Sequence, residues 1–130
     1  MEEEALTKTI IGCAFKVHNT LGAGFLEKVY ENALRIELTR QGVQVKQQEP
    51  IRVCYEGYVV GDYYADLWVE DRVIVEVKAA QALSKAHEVQ LVNYLNATGV
   101  DVGLLLNFGP SVQVKRKYRV YRQREQDEQD

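Results

Sequence analysis

The feature that most constrains this chain is a change in the period of its apolar residues near residue 43. Upstream of it, Leu6, Ile10, Ala14, Val17 and Leu21 recur at helical spacing over residues 4 to 21, and "LGAG" at 21 to 24 supplies a glycine stop. A second helical pattern, through Leu26, Val29, Tyr30, Ala33, Leu34 and Leu38, closes at Gly42. From 43 to 79 the period becomes two. The segments "VQVKQQ", "IRVCYEGYVVGDYY" and "ADLWVEDRVIVEVKA" alternate, with turn signals at Glu56-Gly57 and Glu70-Asp71, which predicts an antiparallel meander. Ser84 is placed to cap a helix in "KAHEVQLVNYLNAT" that ends at Gly99. A buried strand in "VDVGLLLNFG" and a last one in "VQVKRKYRVYR" follow. Two helices, a meander, a helix and further strands predict an α/β or α+β sheet flanked by helices.

The 130 residues are 46% hydrophobic, enough for one core, and no linker or internal repeat divides them. A single domain over 1–124 is expected, with "EQDEQD" at 125–130 a disordered acidic tail. No eighteen-residue apolar window is present and the start "MEEEALTK" lacks the features of a signal peptide, so a cytoplasmic protein without a membrane partner is expected. Cys13 and Cys54 follow no metal-ligand spacing, which favours buried, reduced thiols.

The net charge of -3 conceals an uneven distribution. Of 19 acidic residues, seven lie at 2–4 and 125–130; the 12 left stand against 16 basic ones, so the body is about +4. The densest basic stretch, Lys115, Arg116, Lys117, Arg119, Arg122 and Arg124 with Tyr118 and Tyr121, could meet phosphates or could protect an edge strand by charge.

Register locates the chemistry. In residues 72 to 79, Val73, Val75, Val77 and Ala79 share one face, and Arg72, Ile74, Glu76 and Lys78 the other. In the preceding strand Tyr63, Ala65, Leu67 and Val69 face opposite to Asp62, Tyr64, Asp66 and Trp68. A three-residue loop over 70–72 pairs Val69 with Val73, Leu67 with Val75 and Ala65 with Val77. It keeps one face apolar, whereas a two-residue loop mixes the faces. The same register sets Asp66 opposite Glu76, with Lys78 one step along, and cross-strand Cβ atoms of this kind are roughly 4.5–5.5 Å apart. Two carboxylates so close repel unless a cation or a proton intervenes. An open, solvated face on which Lys78 neutralises one acid accounts for the same pattern. Tyr64, Trp68 and Ile74 on that face argue for partial cover.

Asp66 followed by "EVK" at 76–78 resembles the Asp…(Asp/Glu)-x-Lys signature of the PD-(D/E)xK nuclease superfamily. "GFLEKVY" at 24–30 matches the motif that names the GxxExxY proteins within it, and "QLVNY" at 90–94 is similar to the QxxxY motif of its exonuclease-like branch. The resemblance spans about residues 17–109 and departs from the pattern in having "AD" for "PD". It implies a restriction-endonuclease-like core with a central mixed sheet. It also implies a nuclease acting on nucleic acid, DNA ahead of RNA, with Glu27, Asp66, Glu76, Lys78, Gln90 and Tyr94 in the catalytic site. Glu27, Asp66, Glu76 and the Val77 carbonyl would bind magnesium or manganese, hard cations suited to such oxygens.

Each of these residues has an ordinary structural role open to it. Glu27 suits a helix N-terminus, Tyr94 a core position, and Gln90 an adjoining polar face. His18 and His87 are isolated, and neither is expected as a ligand or base. A catalytically silent module that binds nucleic acid or a protein partner is the alternative to a nuclease. The oligomeric state is left open.

Overall fold

The computed structural model describes residues 2–120 and contains three helices and five strands. In chain order these are α1 (Glu3–Leu21), α2 (Glu27–Arg40), β1 (Val45–Tyr55), β2 (Tyr58–Val69), β3 (Val73–Lys78), α3 (Lys85–Thr98), β4 (Val102–Phe108) and β5 (Val112–Tyr118). The strands form one sheet in the order β1-β2-β3-β4-β5. β1, β2 and β3 are the antiparallel meander; β4 runs parallel to β3 after the α3 crossover, and β5 pairs antiparallel with β4. The architecture is α+β, as the change of period predicts, and the sheet is mixed, as the resemblance implies. Arg122, Arg124 and the acidic tail lie outside the described residues. Among the described residues no helix is long and apolar enough to cross a membrane.

Two helical layers bury the sheet. One face packs Leu67, Val69, Val73, Val75, Val77, Leu104 and Leu106 against Leu6, Ile10, Val17, Leu34 and Leu38 of α1 and α2. The other packs Ile51, Ile74 and Leu105 against Leu91, Tyr94 and Leu95 of α3. β3, covered on both faces, is buried from Val73 to Val77, so its one carboxylate, on Glu76, enters the interior with the valines.

Local signals end the elements where the sequence suggests. The Ser84 hydroxyl caps α3 by accepting from the His87 N–H, and the His87 ring answers by accepting from the Ser84 N–H. His87 is thereby a cap, and His18 Nε2 lies 2.8 Å from the Gly109 carbonyl oxygen, so both histidines have structural partners. The α1–α2 connection depends on Tyr30. Its buried hydroxyl donates to the Gly22 carbonyl at 2.6 Å and accepts from the Phe25 N–H at 3.2 Å, tying the connection to α2 just before the N-cap residue Leu26. Between them Gly24 sits at φ +106°, a conformation open to glycine and strained for other residues. One thiol departs from expectation. Cys13 is buried, but Cys54 is exposed, because the outer half of β1 runs past the helical layers.

Candidate active site

The β2–β3 hairpin begins as its apolar pattern requires. Glu70 and Asp71 turn the chain at φ +53° and +57°, and the ladder pairs Val69 with Val73, Trp68 with Ile74 and Leu67 with Val75. The expected third apolar pair, Ala65 with Val77, does not form. The two strands part beyond Leu67, and side chains take over from the ladder. The Asp66 N–H donates to Glu76 Oε2 at 2.9 Å, and the Val77 N–H donates to Asp66 Oδ2 at 2.8 Å. Each carboxylate thus satisfies a main-chain donor of the opposite strand that the fork would otherwise orphan.

The fork also corrects the expected faces of β2. Leu67 packs with the α1–α2 cluster, whereas Ala65 packs with the α3 cluster and Tyr63 lies against Tyr94 of α3, ring centroids 5.5 Å apart. The alternation therefore changes phase at Asp66. In β1 the opposing Gln48 stands at φ +54° and is left out of the β1–β2 register, and Val45 and Ile51 fall in opposite clusters across it. A glutamine held in the left-handed region is backbone strain maintained by its surroundings.

Those surroundings are a carboxylate that no motif marks. Glu31 of α2 is 3% exposed. Its oxygens accept from Lys28 Nζ at 2.9 Å, Gln47 Nε2 at 2.5 Å and Gln48 Nε2 at 3.1 Å, and the same Gln48 nitrogen is 3.1 Å from Asp66 Oδ1. Gln48 therefore bridges Glu31 and Asp66. The available signal was helical phase: Glu31 lies three residues before Leu34 and seven before Leu38, on the stripe facing the core.

Burial and crowding raise the affinity of both site acids for protons. Glu76 is pushed up to about 8, first by burial and then by Asp66, against the opposing pull of the Asp66 N–H and Lys78. Asp66 is raised too, chiefly by burial and further by Glu31 and Glu27, while the Val77 N–H and Gln48 oppose. Near neutrality, without a cation, the pair carries a proton on Glu76 in place of full charge.

The other expected residues are disposed around this pair. Glu27 is exposed in the first turn of α2, within electrostatic reach of Asp66 but without a hydrogen bond to it. Lys78 is partly buried at the end of β3 and acts on Glu76 through space. Tyr94 is buried, and its hydroxyl is pushed up to about 12 by burial, then Glu76, Tyr63 and Asp66, with the Gln90 side chain opposing through a hydrogen bond. Gln90 and Tyr94 of α3 thus come to the same region as Asp66 and Glu76. Among the described residues, no three histidine, cysteine, aspartate or glutamate side chains are grouped as a preformed metal site.

The chain beyond Lys78 is pinned by Asn107, which is fully buried in β4. Its Oδ1 accepts from the Ala80 N–H at 2.9 Å, and its Nδ2 donates to the Ala80 carbonyl at 2.9 Å and to Gln113 Oε1 at 3.0 Å. Gly109 closes the same junction, since a Cβ there would stand 2.4 Å from the Ala80 oxygen. Asn107→Ala is expected to lower the free energy of unfolding by about 2 kcal/mol, the cost of orphaning a partly buried amide pair. Urea unfolding with an unchanged slope and a lower midpoint would show it.

Among the described residues of the basic stretch, three have partners within the protein. Arg116 donates to the Thr7 hydroxyl at 2.9 Å, Lys117 pairs with Glu88 at 3.0 Å and Arg119 with Asp101 at 2.9 Å.

A family model described as the PD-(D/E)XK nuclease superfamily matches residues 4–120. Among solved structures the chain is similar to an alkaline exonuclease (LHK-Exo) from Laribacter hongkongensis. The identity is 14%, over 72% of this chain and 56% of that one, with a TM-score of 0.54. It is also similar to SSO0001, at 15% identity over 73% of this chain and 52% of that one, with a TM-score of 0.55. The chain therefore matches little more than half the length of either protein. No curated protein matches the sequence.

Proposed function

The chain belongs to the PD-(D/E)XK nuclease superfamily, and from that premise we propose that it is a divalent-metal-dependent nuclease hydrolysing phosphodiester bonds of nucleic acid, DNA ahead of RNA. Within the superfamily we assign it to the GxxExxY group, on Gly24, Glu27 and Tyr30. The observation that carries the reading is the Asp66–Glu76 clasp: two part-buried carboxylates crosswise in a strand fork, with proton affinities raised by burial and by neighbouring carboxylates.

The donor set fits a hard divalent cation. All its atoms are oxygens, and the repulsion that puts a proton on Glu76 would equally favour Mg2+ or Mn2+. Asp66 and Glu76 would hold the ion with the Val77 carbonyl, and Glu27 would reach it from α2. When bound, such an ion lowers the pKa of attacking water and neutralises charge on the phosphate. The chain's own groups do the rest. Lys78 faces the reacting phosphate as a fixed cation and orients the water. Tyr94, protonated at neutral pH, remains a hydrogen-bond donor, and Gln90 steadies it. Gln48 and Glu31 hold Asp66 from the opposite side.

Thermal melting with manganese tests the reading. At a concentration one hundred times the dissociation constant, native-state binding adds about 2.7 kcal/mol, roughly a 10 °C rise for a domain of this size. Wild type is expected to show it and Asp66→Ala to lose it. No shift in a folded wild type would leave a silent binding module as the better account.

A further inference from the structure

Resting on the nuclease reading, we propose that the cleft between α3 and the outer half of the β1–β2 hairpin binds the unpaired bases of a single-stranded nucleic acid beside the Asp66–Glu76 pair. The cleft has a volume of about 980 Å³, which is at the upper end of small-ligand sites and large enough for more than one base. Its lining is suited to planar rings with polar edges. Tyr63 and Tyr94 meet at one wall with their planes tilted by 46°, and Tyr63 remains 44% exposed. Val53 and Val60 supply apolar contact opposite α3, whose Gln90 and Asn93 present amides that can donate to and accept from a base edge.

The backbone makes room for this surface. The β1–β2 register slips between Val53 and Cys54, which turns the outer hairpin and sets Val60 on the cleft wall. Gly61 follows, where a Cβ would stand 3.0 Å from the Tyr63 ring, so the glycine lets that ring lie along the strand.

Charge and position select the ligand. In a chain of net charge -3, no carboxylate among the described residues lines the cleft, and the one formally charged residue among them there is Lys85 at the start of α3. An anionic backbone is therefore met by a cation and not repelled. Tyr94 belongs both to the cleft and to the electrostatic surroundings of Glu76 and Asp66, so a base seated here lies next to the proposed phosphate site. A paired base has its edges engaged and its faces stacked, and enters such a recess only by leaving the duplex. An unpaired strand stacks on aromatic side chains directly.

Fluorescence anisotropy with a labelled oligothymidylate, and with a blunt duplex of equal length, tests this. The assay uses full-length protein at low salt, with EDTA. Tyr63→Ala and Val60→Asp are expected to weaken single-strand binding by about tenfold or more. Tyr63→Phe should stay near wild type, the melting temperatures should hold, and duplex binding should not change. Single-strand affinity unchanged in both variants overturns the assignment. So does an equal loss for duplex and single strand, a wild type that ignores the single strand, or ready displacement of the oligonucleotide by an apolar peptide. With no metal ion present and no cleavage read, the assay fails or succeeds independently of the manganese melting that tests the nuclease reading.

Discussion

Glu76→Gln is expected to make the metal-free protein more stable, not less, at neutral and alkaline pH. Glu76 titrates near 8 in the folded chain and near 4.5 as a free side chain. Because folding raises its pKa, the wild type keeps its full stability below about pH 4.5 and loses it as pH rises toward 8, where the ionised form must be held beside Asp66. At pH 7 the penalty is on the order of 3 kcal/mol, and glutamine removes it while its side-chain oxygen still accepts from the Asp66 N–H. Asp66 is raised in the same sense and leaves a residual slope. Chemical denaturation in EDTA from pH 5 to 9 should show a falling curve for wild type and a flatter, higher one for Glu76→Gln. Manganese should close most of that gap by stabilising the wild type alone. A variant no more stable than wild type at pH 8 in EDTA would mean that Glu76 is not held under charge repulsion.

The second large effect concerns Lys78. It lies at the end of β3, and the chain just after it is fixed at Ala80 by Asn107 and Gly109. Lys78→Ala removes a partly exposed side chain, so the fold and the manganese shift should survive. Cleavage should fall by about 10²–10⁴, the range for losing a positioned acid, base or electrostatic group. Lys78→Arg should recover little, because a guanidinium is planar and wider than an ammonium. Equal cleavage by Lys78→Ala would remove the lysine from the mechanism.

How far the sequence could foretell this site depends on which force sets each part. The register of the hairpin was legible because Val69, Leu67, Val73 and Val75 must share one buried face, and a slip of one residue turns one strand's pair away from it. The fork was not. Tyr63 and Ala65 continue the alternation in the sequence, and the change of phase at Asp66 arises from buried carboxylates replacing ladder hydrogen bonds. Gln48 illustrates the same limit, since nothing local favours φ +54° at a glutamine and the Glu31 network holds it there. Tyr30, which the motif marks, is a brace for the α1–α2 connection, whereas Glu31 beside it reaches the acidic site. Asp66 and Glu76 were legible as a pair because apolar matching alone set them side by side. Gln90 and Tyr94 depended on a crossover helix returning over the sheet, which spacing within α3 cannot reveal.

A metal-dependent phosphodiesterase site at the Asp66–Glu76 fork, as proposed, would show itself in cleavage. End-labelled single-stranded and duplex DNA and RNA would be incubated with wild type and with Lys78→Ala, in manganese, in magnesium and in EDTA. The account predicts cleavage of at least one substrate by wild type with metal, none in EDTA, and a loss of at least about a hundredfold in Lys78→Ala at unchanged metal-dependent melting. Wild-type protein that binds the ion yet cuts none of these substrates, or cuts them equally well in EDTA, would contradict it.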